Sequence, residues 1–239
     1  NVVLIKAFDG KKIRASAIHK ALLWILEHYR KYNIKIVNVS LGGDHNEPFK
    51  KSKVCHAVRA LKKLGVTVVA AAGNNPSRPI IPPASCPDAI TVGGIDDKNS
   101  LDEKHYSEYG SSYGRTLDGF MKPEIVAPSR LLPAPMVPDN EIFYESQLLH
   151  RLLKTPSGQL KTKLRPVLRQ TKLDKAILGR PPKEIKEAIR TRLNAEKFFA
   201  PHYQHVDGTS FAAPIVSSVI AQMLEANPDL TPTLIKMIL

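Results

Sequence analysis

The chain has 239 residues, of which 43% are hydrophobic and 24% charged, and this balance excludes an intrinsically disordered protein. The length fits one well-buried α/β domain, and no apolar run approaches the roughly 18 residues of a membrane-spanning helix. The formal net charge is +13, but about half of the excess lies in residues 131–206, which hold 14 Lys and Arg against 7 Asp and Glu. Because the excess is local, it argues against a nucleic-acid-binding domain.

Apolar residues in the first hundred positions alternate between strand and helix spacing. They predict, in chain order, a strand over 2–7, a turn at 8–10, a helix over 14–32, a strand over 34–39, a helix over 48–64, and strands over 66–72 and 89–94. This order is typical of a mainly parallel sheet with helices on both faces. Ligands of such sheets bind beyond the carboxyl ends of the strands.

The basic segment 131–205 differs from its surroundings. A proline-rich stretch over 132–138 predicts an extended lead-in, and helical spacing follows over 141–154, 159–170 and 183–197. We therefore expect a basic helical insertion within one domain that spans 1–239. Its Lys and Arg favour a solvated helix surface, and an acidic partner or a gate over a substrate site remain alternatives.

The last hundred residues place a hydroxyl at a helix start. Gly208-Thr209-Ser210-Phe211-Ala212-Ala213-Pro214 opens an apolar run, and a final helix starts near Pro232. We expect Gly208 to permit a tight entry, Thr209 to cap the helix, and the helix N-terminus to favour negative charge beside Ser210. Taken alone, the pattern fits an ordinary capped helix equally well.

Two glycine-bearing loops follow predicted strands. They are Ser40-Leu41-Gly42-Gly43 and Ala71-Ala72-Gly73-Asn74. Because both follow strands of one parallel sheet, we expect them to face the same cleft. Each loop by itself is also compatible with a plain turn.

Metal and disulfide chemistry are limited by the counts. Cys55 and Cys86 are the only cysteines, so at most one disulfide can form. The eight histidines show no His-x-x-x-His or paired Cys/His spacing, and we expect no metal ligands and no cofactor from the pattern.

Together with Lys122-Pro123-Glu124-Ile125-Val126-Ala127-Pro128, these motifs resemble the subtilisin-like serine proteases. The resemblance implies a doubly wound α/β fold, a polypeptide substrate, Ser210 as the nucleophile that forms an acyl-enzyme, and Asn74 as an oxyanion-hole donor. It implies substrate-binding roles for Ser40, Leu41, Gly42, Ala72 and Gly73. Calcium and a secreted or cell-envelope location are compatible with the family, whereas nucleic-acid and membrane partners are not expected and the oligomeric state is left open.

The sequence departs from the family in one respect. The family's triad runs Asp, then His, then Ser, and the sequence contains neither an Asp-[Thr/Ser]-Gly nor a His-Gly-Thr motif. One hypothesis is a fragment of a longer endopeptidase, inactive alone, and the start at Asn1 inside a predicted strand favours it. The alternative is a non-catalytic peptide-binding relative that has lost both residues. His202 and His205 precede Ser210 closely, but a base there would need a geometry that the family does not use.

Overall fold

The computed structural model describes residues 2–8 and 13–239. It divides into two compact units, of which unit 1 comprises Asn1–Arg130 with Asp207–Leu239 and unit 2 comprises Leu131–Val206. Buried side chains form two clusters in unit 1 and one in unit 2, so each unit has a hydrophobic core of its own.

Both units contain helices and strands, which are numbered in chain order. The α-helices of the described residues are α1 (Ala15–His28), α2 (Lys53–Lys63), α3 (Glu141–Lys154), α4 (Ser157–Leu164), α5 (Leu168–Thr171), α6 (Pro182–Ala195), α7 (Thr209–Ala226) and α8 (Pro232–Ile238). The strands are β1 (Ile36–Val39), β2 (Thr67–Ala71), β3 (Ile90–Asp96), β4 (Ser107–Glu108), β5 (Gly114–Arg115), β6 (Met121–Lys122), β7 (Ile125–Pro128), β8 (Leu132–Pro135), β9 (Phe198–Ala200) and β10 (Tyr203–Val206).

Unit 1 is built on a mainly parallel sheet, which confirms the predicted α/β class. The strands β1, β2, β3 and β7 lie side by side and parallel, and β4 pairs antiparallel with the end of β3. Alternate residues of β2 point to opposite faces of the sheet, and helices cover both faces. Val68 joins the core that contains Leu22 of α1 and Leu61 of α2, whereas Val69 joins the core that contains Ile220 of α7.

Two predicted elements of unit 1 differ from the structure. Residues 2–7 form no strand, and Val2 and Leu4 are 85% and 91% exposed, because no described strand pairs with this segment. Of the predicted turn at 8–10, residues 9 and 10 lie outside the described residues. Helix α2 starts at Lys53 rather than Pro48, because the Ser52 hydroxyl caps it by accepting a hydrogen bond from the Cys55 N–H at 3.3 Å.

The two cysteines join helix and loop in unit 1. Cys55 in α2 forms a disulfide with Cys86, which lies in the loop that leads into β3. This is the single bridge that the cysteine count allowed.

Unit 2 contains more than the predicted helices. Helix α3 has the predicted bounds, and Asn140 caps it by accepting a hydrogen bond from the Phe143 N–H at 2.8 Å. The predicted helix over 159–170 is divided by a 3₁₀ turn, since Pro166 has no N–H to continue the helical ladder. The predicted lead-in forms β8, and an antiparallel sheet of order β8-β10-β9 was not predicted.

No helix among the described residues combines the length and the apolar character needed to cross a membrane.

Candidate active site

The start of α7 lies beside the loops that follow β1 and β2. Gly208 enters the helix with φ of 135°, and its N–H donates to the Ser129 carbonyl at 2.8 Å. A Cβ at this position would lie 3.2 Å from Asn74 Nδ2, so both the backbone angle and the space favour glycine. The expected tight entry at Gly208 is thus seen, and it brings the helix start against Asn74.

Ser210 is the second residue of α7 and is partly exposed. Its hydroxyl donates to the Ser40 carbonyl at 3.1 Å, and the Ser40 hydroxyl donates to the Ser210 carbonyl at 2.7 Å. This reciprocal pair joins the end of β1 to the start of α7. The Ser210 proton therefore faces a backbone carbonyl, which is too weak a base to accept it.

Asn74 is oriented by Thr209, the neighbour of Ser210. The Thr209 N–H donates to Asn74 Oδ1 at 2.8 Å, and the Thr209 hydroxyl donates to the same oxygen at 3.0 Å. Because a backbone N–H can only donate, the atom that it reaches must be the amide oxygen. The exposed Asn74 side chain consequently has its NH₂ group at the end not held by Thr209.

The predicted capping role of Thr209 was wrong. Gly208 occupies the cap position, and Thr209 is the first residue inside α7. The Thr209 hydroxyl instead accepts a hydrogen bond from the Gly73 N–H at 3.1 Å while it donates to Asn74. It joins the helix to the loop after β2, a connection that the local sequence pattern does not reveal.

The residues expected to bind substrate lie in the two loops, with different surroundings. Ser40 contacts Ser210 as described, Leu41 packs against the core beneath α1 and α2, and a Cβ on Gly42 would lie 3.3 Å from the Ile81 side chain. These three residues follow β1 directly.

The loop after β2 continues the sheet before it turns. Ala72 is buried, and its N–H donates to the Val92 carbonyl at 2.9 Å. Gly73 has φ of 112°, and an added Cβ would lie 2.8 Å from the Ser112 hydroxyl oxygen. Ser112, which sequence reasoning missed, also fixes this loop: its N–H donates to the Gly73 carbonyl at 2.9 Å.

Comparison with known proteins agrees with this architecture. The model of the subtilase family, peptidase S8, matches residues 1–239. The chain belongs to the subtilase family. It is 28% identical over 212 residues to the serine protease AprX of Bacillus subtilis (strain 168), covering 86% of this chain and 37% of that protein. It is 35% identical over 114 residues to subtilisin-like protease 2 of Trichophyton verrucosum, covering 46% and 26%.

Solved structures show the same subtilase fold. Sphericase superposes with a TM-score of 0.58 at 20% identity, covering 96% of this chain and 56% of that chain. The S41 psychrophilic protease gives a TM-score of 0.56 at 17% identity, with coverages of 95% and 55%. The chain thus spans little more than half the length of these structures and 37% of AprX.

No acid or imidazole partner of Ser210 occurs in the described part of this subtilase. The hydrogen bond that the Ser210 hydroxyl makes there is the one to the Ser40 carbonyl. His202 and His205 belong to unit 2, where their rings pack on Phe143 and Phe199 at centroid distances of 5.4 and 4.3 Å.

The subtilase motif at residues 122–128 contains an ion cluster around the buried Lys122. Lys122 Nζ donates to the carbonyls of Cys86 and Ala89 at 3.0 and 3.1 Å and to Glu124 Oε1 at 2.6 Å. Lys236 Nζ of α8 donates to the same carboxylate oxygen at 2.6 Å. The cluster joins β6, the turn before β7, α8 and the loop before β3.

Burial and the neighbouring charges together set the pKa values of this cluster. Burial lowers the pKa of Lys122 to about 8. Burial would raise the pKa of the Glu124 carboxyl, but the ammonium groups of Lys122 and Lys236 outweigh it and lower that pKa. These residues hold the sheet together and make no hydrogen bond to Ser210 or Asn74.

The described residues hold no group of three or more His, Cys, Asp or Glu side chains arranged to bind a metal ion.

Proposed function

We propose that the chain carries the nucleophile and the oxyanion hole of a subtilisin-type serine endopeptidase. The observation that supports this most directly is the geometry at the start of α7, where Thr209 holds Asn74 Oδ1 and so leaves the amide NH₂ to donate beside Ser210. Membership of the subtilase family supports the same reaction class.

In the proposed reaction, Ser210 Oγ attacks the carbonyl carbon of a peptide bond. The hydroxyl proton passes to a base, and negative charge develops on the carbonyl oxygen. Asn74 Nδ2 and the Ser210 N–H donate to that oxygen, and the N-terminal end of the α7 dipole adds to the stabilisation. The leaving amine takes up the proton as the C–N bond breaks, and water then releases the acyl group from Ser210.

An extended polypeptide is the proposed substrate. Ser40, Leu41 and Gly42 would pair with its backbone, because main-chain hydrogen bonds along an edge bind extended peptides without regard to side chain. Ala72 and Gly73 would form the wall of the first specificity pocket. Their small size supports a roomy and mainly apolar pocket.

We propose that the base lies outside the described residues, among which the Ser210 hydroxyl bonds to the Ser40 carbonyl. Two features support a further segment of polypeptide at this side of unit 1. Strand β1 pairs only with β2 among the described strands. Next to it, the Ser217 hydroxyl of α7 donates to Asn38 of β1 at 3.2 Å, and α7 exposes Phe211, Ile215 and Val219. We propose that this segment supplies the Asp and His and that the chain alone is inactive.

A non-catalytic peptide-binding protein is the second candidate. It is favoured by the same hydrogen bond from Ser210 to Ser40, which leaves the hydroxyl without a base. In this case the loops would bind an extended peptide and release it uncleaved.

A serine-directed fluorophosphonate probe distinguishes the two candidates. The gene's complete reading frame and the 239-residue chain are expressed separately and treated with the probe. We expect labelling of the complete product, none after Ser210→Ala, and none of the 239-residue chain. Ser217→Ala is the matched control, because Ser217 lies on the same helix and bonds to Asn38 rather than Ser40, and it should keep the labelling.

Labelling that persists in Ser210→Ala would exclude Ser210 as the nucleophile. A folded complete product that binds an extended peptide but is neither labelled nor cleaves it would favour the second candidate.

A further inference from the structure

Unit 2 contains a cavity of about 760 Å³ between α3 and residues 167–172, which include α5. Sites for small molecules usually measure about 300–1,000 Å³, so the cavity is large enough to hold one. Its lining includes apolar side chains, Leu148 and Val167, and the exposed ring of Tyr144. All of its lining residues belong to unit 2, and none of them lies in the loops around Ser210.

The buried acid in the lining of this cavity is already paired with two cations. Glu145 has a side chain only 1% exposed, and its Oε1 accepts a hydrogen bond from Arg192 Nε at 2.7 Å. Its Oε2 lies 2.7 Å from Lys172 Nζ. Each carboxylate oxygen therefore faces its own cation, and Lys172 is held at the cavity wall by this ion pair.

Two guanidinium groups in the lining are not engaged in such ion pairs. Arg151 of α3 and Arg169 of α5 are exposed, and neither side chain forms an ion pair or hydrogen bond with any residue in 2–8 or 13–239. Glu141 is the one further acid in the lining. The cavity thus has an excess of positive charge beside an apolar wall.

We propose that this cavity binds an organic anion that consists of a carboxylate or phosphate group on an apolar body. The planar guanidinium forks of Arg151 and Arg169 match the paired oxygens of such a group, and bidentate bonds of this kind are among the strongest that side chains make. Leu148, Val167 and Tyr144 bury the apolar body. This assignment does not depend on the proposed peptidase function.

The test is calorimetric titration of the 239-residue chain at constant ionic strength with four probes. Benzoate and phenyl phosphate carry both groups, inorganic phosphate lacks the apolar body, and benzyl alcohol lacks the charge. We expect one site per chain for at least one aryl anion, at least about tenfold weaker binding of inorganic phosphate, and no saturable binding of benzyl alcohol. Preference for benzoate or for phenyl phosphate identifies which oxyanion the site takes.

Variants of the lining residues locate the site. Arg151→Gln and Arg169→Gln should each weaken binding by about tenfold or more, because each removes a charge-assisted hydrogen bond. Gln170→Glu, which adds negative charge to the lining, should also weaken it. Arg165→Gln is the control, since it removes the same charge from an exposed residue outside the lining, and should leave the affinity unchanged.

Equal binding of benzyl alcohol and the aryl anions would overturn the proposal. So would the absence of binding by both aryl anions, or an unchanged affinity in the Arg151→Gln/Arg169→Gln double variant. Because both arginines are exposed, the thermal midpoint without ligand should stay at the wild-type value and serves as the folding control.

Discussion

The two units are assembled over very different distances along the chain. In unit 1, the hydrogen bonds between Ser210 and Ser40 join residues 170 positions apart, and those between Thr209 and Asn74 join residues 135 apart. In unit 2, the whole core is drawn from residues between Met136 and Phe198. Unit 1 therefore positions the residues of its candidate site through contacts between residues more than a hundred positions apart, whereas unit 2 packs its helices from within residues 136–198.

Both units nevertheless contain a carboxylate that is paired with two cations and so joins segments of the chain. In unit 1 the Glu124 carboxylate is held by Lys122 and Lys236, and in unit 2 the Glu145 carboxylate is held by Arg192 and Lys172. Each acid joins segments that are distant in sequence. The Glu145 side chain is buried and that of Glu124 is partly buried, and a carboxylate shielded from water needs such partners because an unpaired charge there is costly.

The largest difference in stability between the two units is expected from Leu149→Ala in α3. Leu149 is fully buried, so its truncation should lower the free energy of unfolding of unit 2 by about 2–5 kcal/mol. Hydrogen exchange resolved by residue measures the loss of protection in each unit. Ile142→Ala on the exposed side of the same helix is the control and should cost less than about 1 kcal/mol. An equal loss of protection in both units would show that they unfold together and would break the comparison.

Asn74→Ala tests the long-range geometry of unit 1. If Asn74 is the oxyanion-hole donor, kcat of the complete protein should fall by about 10² to 10³, the magnitude known for this role in a subtilisin. KM for a peptide substrate should change little, because the hydrogen bond strengthens only as the oxyanion forms. Asn75→Ala, in the same loop, is the control. A rise in KM without a fall in kcat would assign Asn74 to substrate binding instead.

Acid titration is expected to distinguish the units through Glu124 in unit 1. Its folded pKa lies below its ordinary value of 4.5, so the unfolded state binds more protons between the two values. The stability that this carboxylate contributes should therefore be fully present above about pH 5 and be lost as the pH falls through the folded pKa.

Urea unfolding between about pH 3 and pH 7 measures this dependence. Glu124→Gln should be less stable at neutral pH and show a flatter slope in acid, since the titrating carboxyl is gone. The same slope in wild type and Glu124→Gln would assign the acid sensitivity to other groups, such as Asp88 and Asp96, whose carboxyl pKa values are also lowered.

The smallest effect is expected from the basic surface of unit 2. Arg190 and Glu187 form an exposed pair at 3.1 Å on α6, and Arg190→Ala should change the free energy of unfolding by less than about 1 kcal/mol. Chemical denaturation measures it, with Glu187→Ala and the double variant completing a cycle. A coupling energy well above about 1 kcal/mol would mean that surface charge, rather than the apolar core, stabilises unit 2.

Features with a local cause could be predicted from the sequence. The bounds of α3 follow from its apolar spacing and from the capping side chain of Asn140, and the class of unit 1 follows from the order of its strands and helices. The motifs around Ser210 and Asn74 were likewise sufficient to indicate the family, and the comparisons confirm it. Local spacing did not predict β9 and β10, because these short strands depend on pairing with each other and with β8.

Only the tertiary structure decided what each group at the site contacts. Thr209 looked like a cap in sequence, yet its hydroxyl joins Gly73 and Asn74, and residues 2–7 have a strand pattern but no described strand to pair with. The sequence by itself thus determined the family, the order of elements and the residue types at the site. The direction of the Asn74 amide and the carbonyl acceptor of the Ser210 proton depend on hydrogen bonds between residues more than a hundred positions apart, which no local pattern encodes.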